Sequence, residues 1–234
     1  MNSTIKVALC LSGEPRSSMA SFSYIYESFL QPDPDYEVDV YIHSWKNFRS
    51  ANLYNPKKIK LEPRVPAKIR TLLTFPHNSS NHLNHSMMYY SIRECFRLIT
   101  EPYNVYIRCR FDLIFESKLV LKPVFQDLID DKYDIFSLHS KYPTKKLGGV
   151  DDQVLICNSK GIKVLSNYYT QIEQNSTSFF NSLNKDNSKI YAEGFLKKYL
   201  QKSKIRTIHV PLSNYAIVRS TSIYSNDNFN FLDE

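Results

Sequence analysis

The sequence predicts an α/β domain: a mostly parallel central sheet with helices on both faces, built as one unit. Three observations carry this expectation. Short apolar or alternating runs recur at residues 5–11, 38–42, 105–111, 133–138 and 154–157, the pattern of strands, and 5–11 is apolar enough to be covered on both faces. Between them lie segments whose apolar residues return at helical spacing. The chain has 234 residues, 42% of them apolar. That is enough for one substantial core, and there is no internal repeat or low-complexity tract.

Taken in order, residues 5–11 are nearly all apolar and predict the first parallel strand. Ser12-Gly13-Glu14-Pro15-Arg16 makes a turn. Met19, Phe22, Ile25, Tyr26 and Phe29 then share one stripe of a helix, and Pro32 and Pro34 close that unit. Val38, Val40 and Ile42 alternate through a second strand ending at His43-Ser44-Trp45. Residues 46–82 are the least regular stretch, with Lys57, Lys58, Lys60, Arg64, Lys68 and Arg70 among four prolines. An insertion or flap is expected there, with a short helix near 66–73. Met88, Ile92, Cys95 and Ile99 mark the next helix, which leads into a strand over 105–112. A short helix over 122–131 and a strand over 133–138 follow. Gly148-Gly149 then opens a loop into the apolar strand 154–157. Helices over 159–173 and 191–202 precede a last strand near 205–210.

Composition excludes several classes. Lys and Arg outnumber Asp and Glu by 30 to 23, a net charge of +7. This favours an anionic partner: a nucleotide diphosphate, nucleic acid or an acidic membrane surface. Cys10, Cys95, Cys109 and Cys157 lie far apart in apolar segments with no C-x-x-C pair. Buried reduced thiols in a cytoplasmic protein are the expectation, not zinc or redox chemistry. The amino terminus runs straight into a strand pattern, and no apolar run approaches the ~20 residues that span a bilayer. Five glycines leave neither G-x-G-x-x-G nor a P-loop, and G-x-S-x-G and H-E-x-x-H are absent as well. Three of His43, His77, His82 and His85 fall in a polar stretch, where solvated histidines are expected rather than a metal cluster.

Three constellations remain, all expected at strand ends on one edge of the sheet, where open α/β sheets bind ligands. The first is the turn Ser12 to Arg16, whose free N–H groups and guanidinium suit an anion. The second is Arg108-Cys109-Arg110-Phe111-Asp112. Strand alternation puts Arg108, Arg110 and Asp112 on one face. Two guanidinium forks suit a phosphate, and the carboxylate suits a metal ion or a sugar hydroxyl. An edge-strand ion pair is the alternative. The third is Asp151-Asp152-Gln153 after the flexible glycines, where two acids can supply a general base and a hydroxyl partner or merely cap a turn.

In this order, the strand ending L-S-G-x-x-R, the strand D-V-Y-I-H-S-W, the R-C-R-F-D strand and the later D-D-Q resemble one group of glycosyltransferases. They are similar to the WavE-type lipopolysaccharide-synthesis proteins and related sugar transferases of bacteria and large DNA viruses. The similarity covers about residues 5–45 and 86–160. It implies a GT-A nucleotide-sugar fold, with Leu11, Ser12, Gly13 and Arg16 near the nucleotide. It also implies Asp112 at the place of the metal-binding D-x-D carboxylate, and a divalent cation (Mn2+ or Mg2+). The literal D-x-D is missing at that strand, which leaves metal dependence open. Asp33-Pro34-Asp35 spells it on the wrong edge.

Glycosyl transfer needs charge neutralisation on the leaving diphosphate and a base for the acceptor hydroxyl. Arg108 and Arg110 meet the first need. Asp152, oriented by Asp151, meets the second, with Gln153 and Glu193 as acceptor-binding candidates. The expected partners are a nucleotide-sugar donor and a glycan, glycolipid or glycoprotein acceptor. A peripheral contact with an anionic membrane through the basic 57–70 segment is a further expectation; nucleic acid is not. Two other classes stay open. The turn Gly13 to Ser18 also resembles a sulfotransferase phosphosulfate loop, and a non-catalytic anion- or nucleic-acid-binding protein would use the basic segments instead.

Overall fold

The computed structural model describes residues 4–45, 48–63, 79–138, 150–183, 192–210, 215–219 and 222–224. Seven strands form the main sheet. They are β1 (Ile5–Gly13), β2 (Tyr36–Trp45), β3 (Lys58–Glu62), β4 (Val105–Cys109), β6 (Ile135–Leu138), β7 (Val154–Cys157) and β8 (Thr207–Val210). Their order is β3-β2-β1-β4-β7-β6-β8. All run parallel except β7, which is antiparallel to both β4 and β6. A second, antiparallel sheet joins β5 (Leu113–Phe115) to β9 (Tyr215–Arg219) and β10 (Ser222–Tyr224).

Alternation along the strands divides the core. Ala8, Cys10, Tyr41, Tyr106, Leu155 and Cys157 face one layer of helices: α2 (Ser79–Phe96), α4 (Ser159–Leu183) and α5 (Ala192–Lys202). These contribute Tyr89, Ile92, Tyr168, Tyr169 and Leu196. Val7, Leu9, Leu11, Val40, Ile42, Val105, Ile107 and Ile156 face the other side. There they meet α1 (Ser18–Ile25), its π-helical continuation Tyr26–Leu30, and α3 (Lys122–Ile129), through Ile25, Phe29, Phe125 and Leu128. The α/β class with helices on both faces is therefore as expected, and all four cysteines are buried free thiols.

Local chemistry sets the junctions. Asn158 caps α4, its Oδ1 accepting from Lys160 N at 3.1 Å and Gly161 N at 2.9 Å. Gly161 lets α4 pack on the start of β6, because a Cβ there would stand 2.3 Å from the Asp134 carbonyl oxygen. Asp134 is fully buried and accepts from Arg206 N and Lys160 Nζ at 2.8 and 3.1 Å. Burial opposes its ionisation, but the Arg206 and Lys160 donors outweigh that and hold its carboxyl well below the usual range.

Three expectations are corrected. Residues 58–62, read as part of an irregular flap, are edge strand β3, paired in parallel with β2. Lys57 and Lys60 are engaged there by Asp39 and Glu101, and by Glu62 and Glu94. The helix expected near 66–73 lies outside the described residues, as do Arg64, Lys68 and Arg70. The stripe assigned to α1 is wrong at Met19 and Tyr26, which are exposed, while Ser18, Ser21 and Ser28 are buried. Small hydroxyl side chains let the helix approach the backbone closely, and Ser21 Oγ donates to the Phe111 carbonyl. Finally, residues 79–82 belong to α2 instead of the irregular stretch.

Candidate functional site

The carboxyl ends of β1, β2 and β4 form one edge of the sheet. β1 ends at Gly13, whose φ of +116° is a backbone state L side chains rarely adopt. Gly13 stands opposite Ser44 in β2, and Ser44 Oγ donates to its carbonyl at 2.8 Å. Ser12, opposite His43, is buried, and among the described residues its hydroxyl has no hydrogen-bond partner. Leu11 points the other way, into the core under α1 and α3. Arg16 is exposed in the turn before α1.

The central motif is divided by the end of β4. Arg108, still in the strand, is 1% exposed. Its Nη1 donates to the backbone carbonyls of Asp152 and Gln153, the second at 2.7 Å. Burial lowers the Arg108 pKa from its ordinary value, against the pull of Asp152. Its guanidinium is thus turned to the protein backbone rather than to solvent, unlike the open phosphate fork expected from alternation alone. Arg110 and Asp112 stand in the bend before β5. Arg110 Nε and Nη2 donate to the two oxygens of Asp112 at 2.7 and 2.6 Å, a bidentate pair. Burial disfavours the Arg110 charge, yet its bonds to Asp112 raise the pKa overall.

Asp151 and Asp152 reach the same edge because β7 runs backwards. A parallel strand would begin at the opposite edge; an antiparallel one begins where its neighbours end. Register sets the pairing Arg108↔Leu155 and Cys109↔Val154, so residues 151–153 continue past the end of β4. Gln153 bridges two charges there. Its Oε1 accepts from Arg110 Nη1 at 2.9 Å and its Nε2 donates to Asp152 Oδ1 at 2.6 Å. Only one orientation of the amide satisfies both partners. Tyr89 donates to Asp152 Oδ2 at 3.3 Å, and Tyr215 of β9 donates to Asp151 Oδ2. Gln153 N also donates to Asp151 Oδ1 at 3.1 Å. Both acids are buried, at 3% and 1% exposure.

The structure therefore brings Arg108, Arg110, Asp112, Asp151, Asp152 and Gln153 into one hydrogen-bonded group, with Ser12 and Gly13 on the neighbouring strand end. Leu11 contributes only backbone to that edge. Glu193 stands in α5 with its side chain outside the described residues. Beside the group lies His43, fully buried, with Nδ1 2.7 Å from Ser91 Oγ and Nε2 2.7 Å from Glu62 Oε1. Glu62 accepts, so Nε2 carries the proton. Burial pushes the His43 pKa down, against the pull of Glu62. Among the described residues no cluster of three or more His, Cys, Asp or Glu is placed to hold a metal ion.

Tyr89, Tyr215 and Ser44 were not foreseen. Tyr89 neighbours Met88 in a helix recognised by its apolar spacing, but nothing local marks its hydroxyl. Tyr215 lies 64 positions after its partner Asp151 and no motif surrounds it.

No protein-family model and no curated protein matches the chain. Among solved structures, it is similar to mouse xyloside xylosyltransferase 1 in its apo form. That match has 10% identity and a TM-score of 0.49, covering 88% of this chain and 84% of that one. It is similar to the galactosyltransferase LgtC with donor and acceptor sugar analogs at 12% identity and a TM-score of 0.46, over 88% and 73%. It is also similar to the apo form of the glycosyltransferase GlyE of Streptococcus pneumoniae TIGR4 at 13% identity and a TM-score of 0.44, over 88% and 45%. The chain thus spans less than half of GlyE. At these scores the likenesses stand as similarities only.

Proposed function

We propose that the chain transfers a sugar from a nucleotide-diphosphate donor to a hydroxyl of a glycan, glycolipid or glycoprotein. One observation carries this reading. Two motifs that suggest sugar transfer in the sequence, Arg108 to Asp112 and Asp151 to Gln153, meet at one sheet edge as a group of two guanidiniums and three carboxylates, with Ser12 and Gly13 on the neighbouring strand end. Such an edge is where open α/β sheets take nucleotides.

In the proposed step, the bond between the sugar anomeric carbon and the β-phosphate oxygen breaks. Its electron pair stays on the phosphate, whose added charge Arg110 meets. The acceptor oxygen bonds to the anomeric carbon, and its proton passes to Asp152. Gln153 and Tyr89 donate to the two oxygens of Asp152 and hold the carboxyl group in place. An acceptor hydroxyl reaches Oδ1 by displacing the Gln153 amide.

Thermal unfolding of the full chain with UDP-, GDP- and CMP-sugars, UDP, GDP, a phosphosulfate nucleotide and RNA tests the reading. A UDP- or GDP-sugar, or the nucleoside diphosphate itself, at about 100 times its Kd should raise Tm by roughly 5 °C or more. Stabilisation by a CMP-sugar, the phosphosulfate nucleotide or RNA alone would overturn it.

A further inference from the structure

Building on that reading, we propose that Arg110 stands in for a divalent cation. The leaving diphosphate is then neutralised by a guanidinium pinned on Asp112, and the site uses no metal.

Asp112 is the carboxylate that the family resemblance would assign to a metal, and its surroundings do not fit one. Both of its oxygens are engaged by Arg110, at 2.7 and 2.6 Å. The side chain of Asp112 is 0% exposed while that of Arg110 is 20% exposed. At this point of the site the group facing a ligand is therefore the cation, with the carboxylate behind it. Mg2+ and Mn2+ need near-octahedral oxygen ligands at ~2.1 Å, several at once. To bind one, Asp112 would have to release a bidentate, charge-assisted pair and leave an obligatory guanidinium charge beside the incoming ion. Of the other carboxylates of the group, Asp152 is held by Gln153 and Tyr89, and Asp151 by Gln153 N and Tyr215.

Arg110 is also fitted to the task by what it has left. A guanidinium has five N–H donors. Asp112 takes two and Gln153 takes one. Among the described residues two remain without a partner, one on each terminal nitrogen, which is the fork that grips two phosphate oxygens. Gln153 bridges Arg110 and Asp152 and so sets their spacing until an acceptor hydroxyl takes the place of its amide on Asp152 Oδ1.

The test measures binding of UDP, GDP and CDP to the full chain by titration calorimetry, in EDTA and in millimolar Mn2+. Mn2+ binding is followed separately by its electron paramagnetic resonance signal, with and without the nucleotides. The expected result is a nucleoside diphosphate that binds in EDTA, with Kd changed less than about threefold by Mn2+. Arg110→Met should weaken that binding by roughly 10- to 100-fold, the worth of a charge-assisted hydrogen bond or two. Arg110→Lys, which keeps the charge but not the fork, should fall between. The wild-type comparison needs no variant, so misfolding of Arg110→Met leaves it decisive. Binding that appears only with Mn2+, or Mn2+ uptake lost in Asp112→Asn, overturns this inference and leaves sugar transfer standing. Absence of nucleoside diphosphate binding in both buffers overturns both.

Discussion

Arg108 and Asp152, 44 positions apart, are joined by a hydrogen bond from the buried guanidinium to the backbone carbonyl. The same nitrogen reaches the carbonyl of Gln153. Replacing Arg108 by Met keeps most of the volume and removes a desolvated charge, but it strands two buried acceptors. Arg108→Met should therefore cost about 1–3 kcal/mol in urea unfolding. A midpoint equal to wild type would show that these bonds do not hold β4 to the start of β7.

Asp152→Asn keeps the shape of the side chain and removes its basicity. Turnover should fall by ~10²–10⁴-fold while donor Kd changes less than about twofold. Single-turnover rates and donor titrations separate the two. Equal loss of donor affinity would mean that Asp152 holds the sugar instead.

His43 makes stability depend on pH. Its pKa is depressed in the folded chain by burial, with Glu62, Lys60 and Glu94 as the charges facing it. The unfolded chain then binds a proton that the folded chain resists, so stability is full above about pH 6.5 and declines as pH falls below it. Thermal midpoints from about pH 8 to about pH 5.5 should fall, and His43→Gln should flatten the decline. An unchanged slope in that variant would assign the effect to other groups.

Gly161→Ala places a methyl 2.3 Å from the Asp134 carbonyl oxygen and 2.8 Å from Ile135 Cγ1. The backbone cannot give way cheaply, so a loss of about 1–3 kcal/mol is expected in chemical unfolding. Gly13→Ala meets no neighbour within 4 Å, and its cost comes from the left-handed φ alone. A larger loss at Gly13 than at Gly161 would reverse that ranking.

How much of this was legible in the sequence depends on the kind of information. Residues 5–11 and 154–157 read as strands because burial on both faces demands unbroken apolar runs, and 105–109 by alternation. The direction of β7 was not legible, since an apolar run is the same read either way, and that direction brings Asp151 and Asp152 to Arg108. Alternation correctly put Cys109 and Phe111 in one core and Arg108 on the opposite face. It could not say that α2 covers that face, or that the strand stops before Arg110. The edge strand was partly visible in the alternation of Ile59 and Leu61 between lysines, masked by the charge of the segment. In α1 the apolar stripe misled because closeness to the Phe111 carbonyl favours serine over larger side chains.

The reversed strand has a consequence for how this chain can vary. The pairing of β7 with β4 fixes Val154 opposite Cys109, so the length of chain between Val154 and the acids fixes where they stand. Adding one residue between Gln153 and Val154 would shift Asp152 and Gln153 against the end of β4 and sever the span to Arg110. The apolar ladder of β7 would survive such a change intact. A folded, stable and chemically silent protein would result. The length between the acids and Val154 should therefore stay fixed wherever the edge is in use, and variation there can serve as a record of its loss.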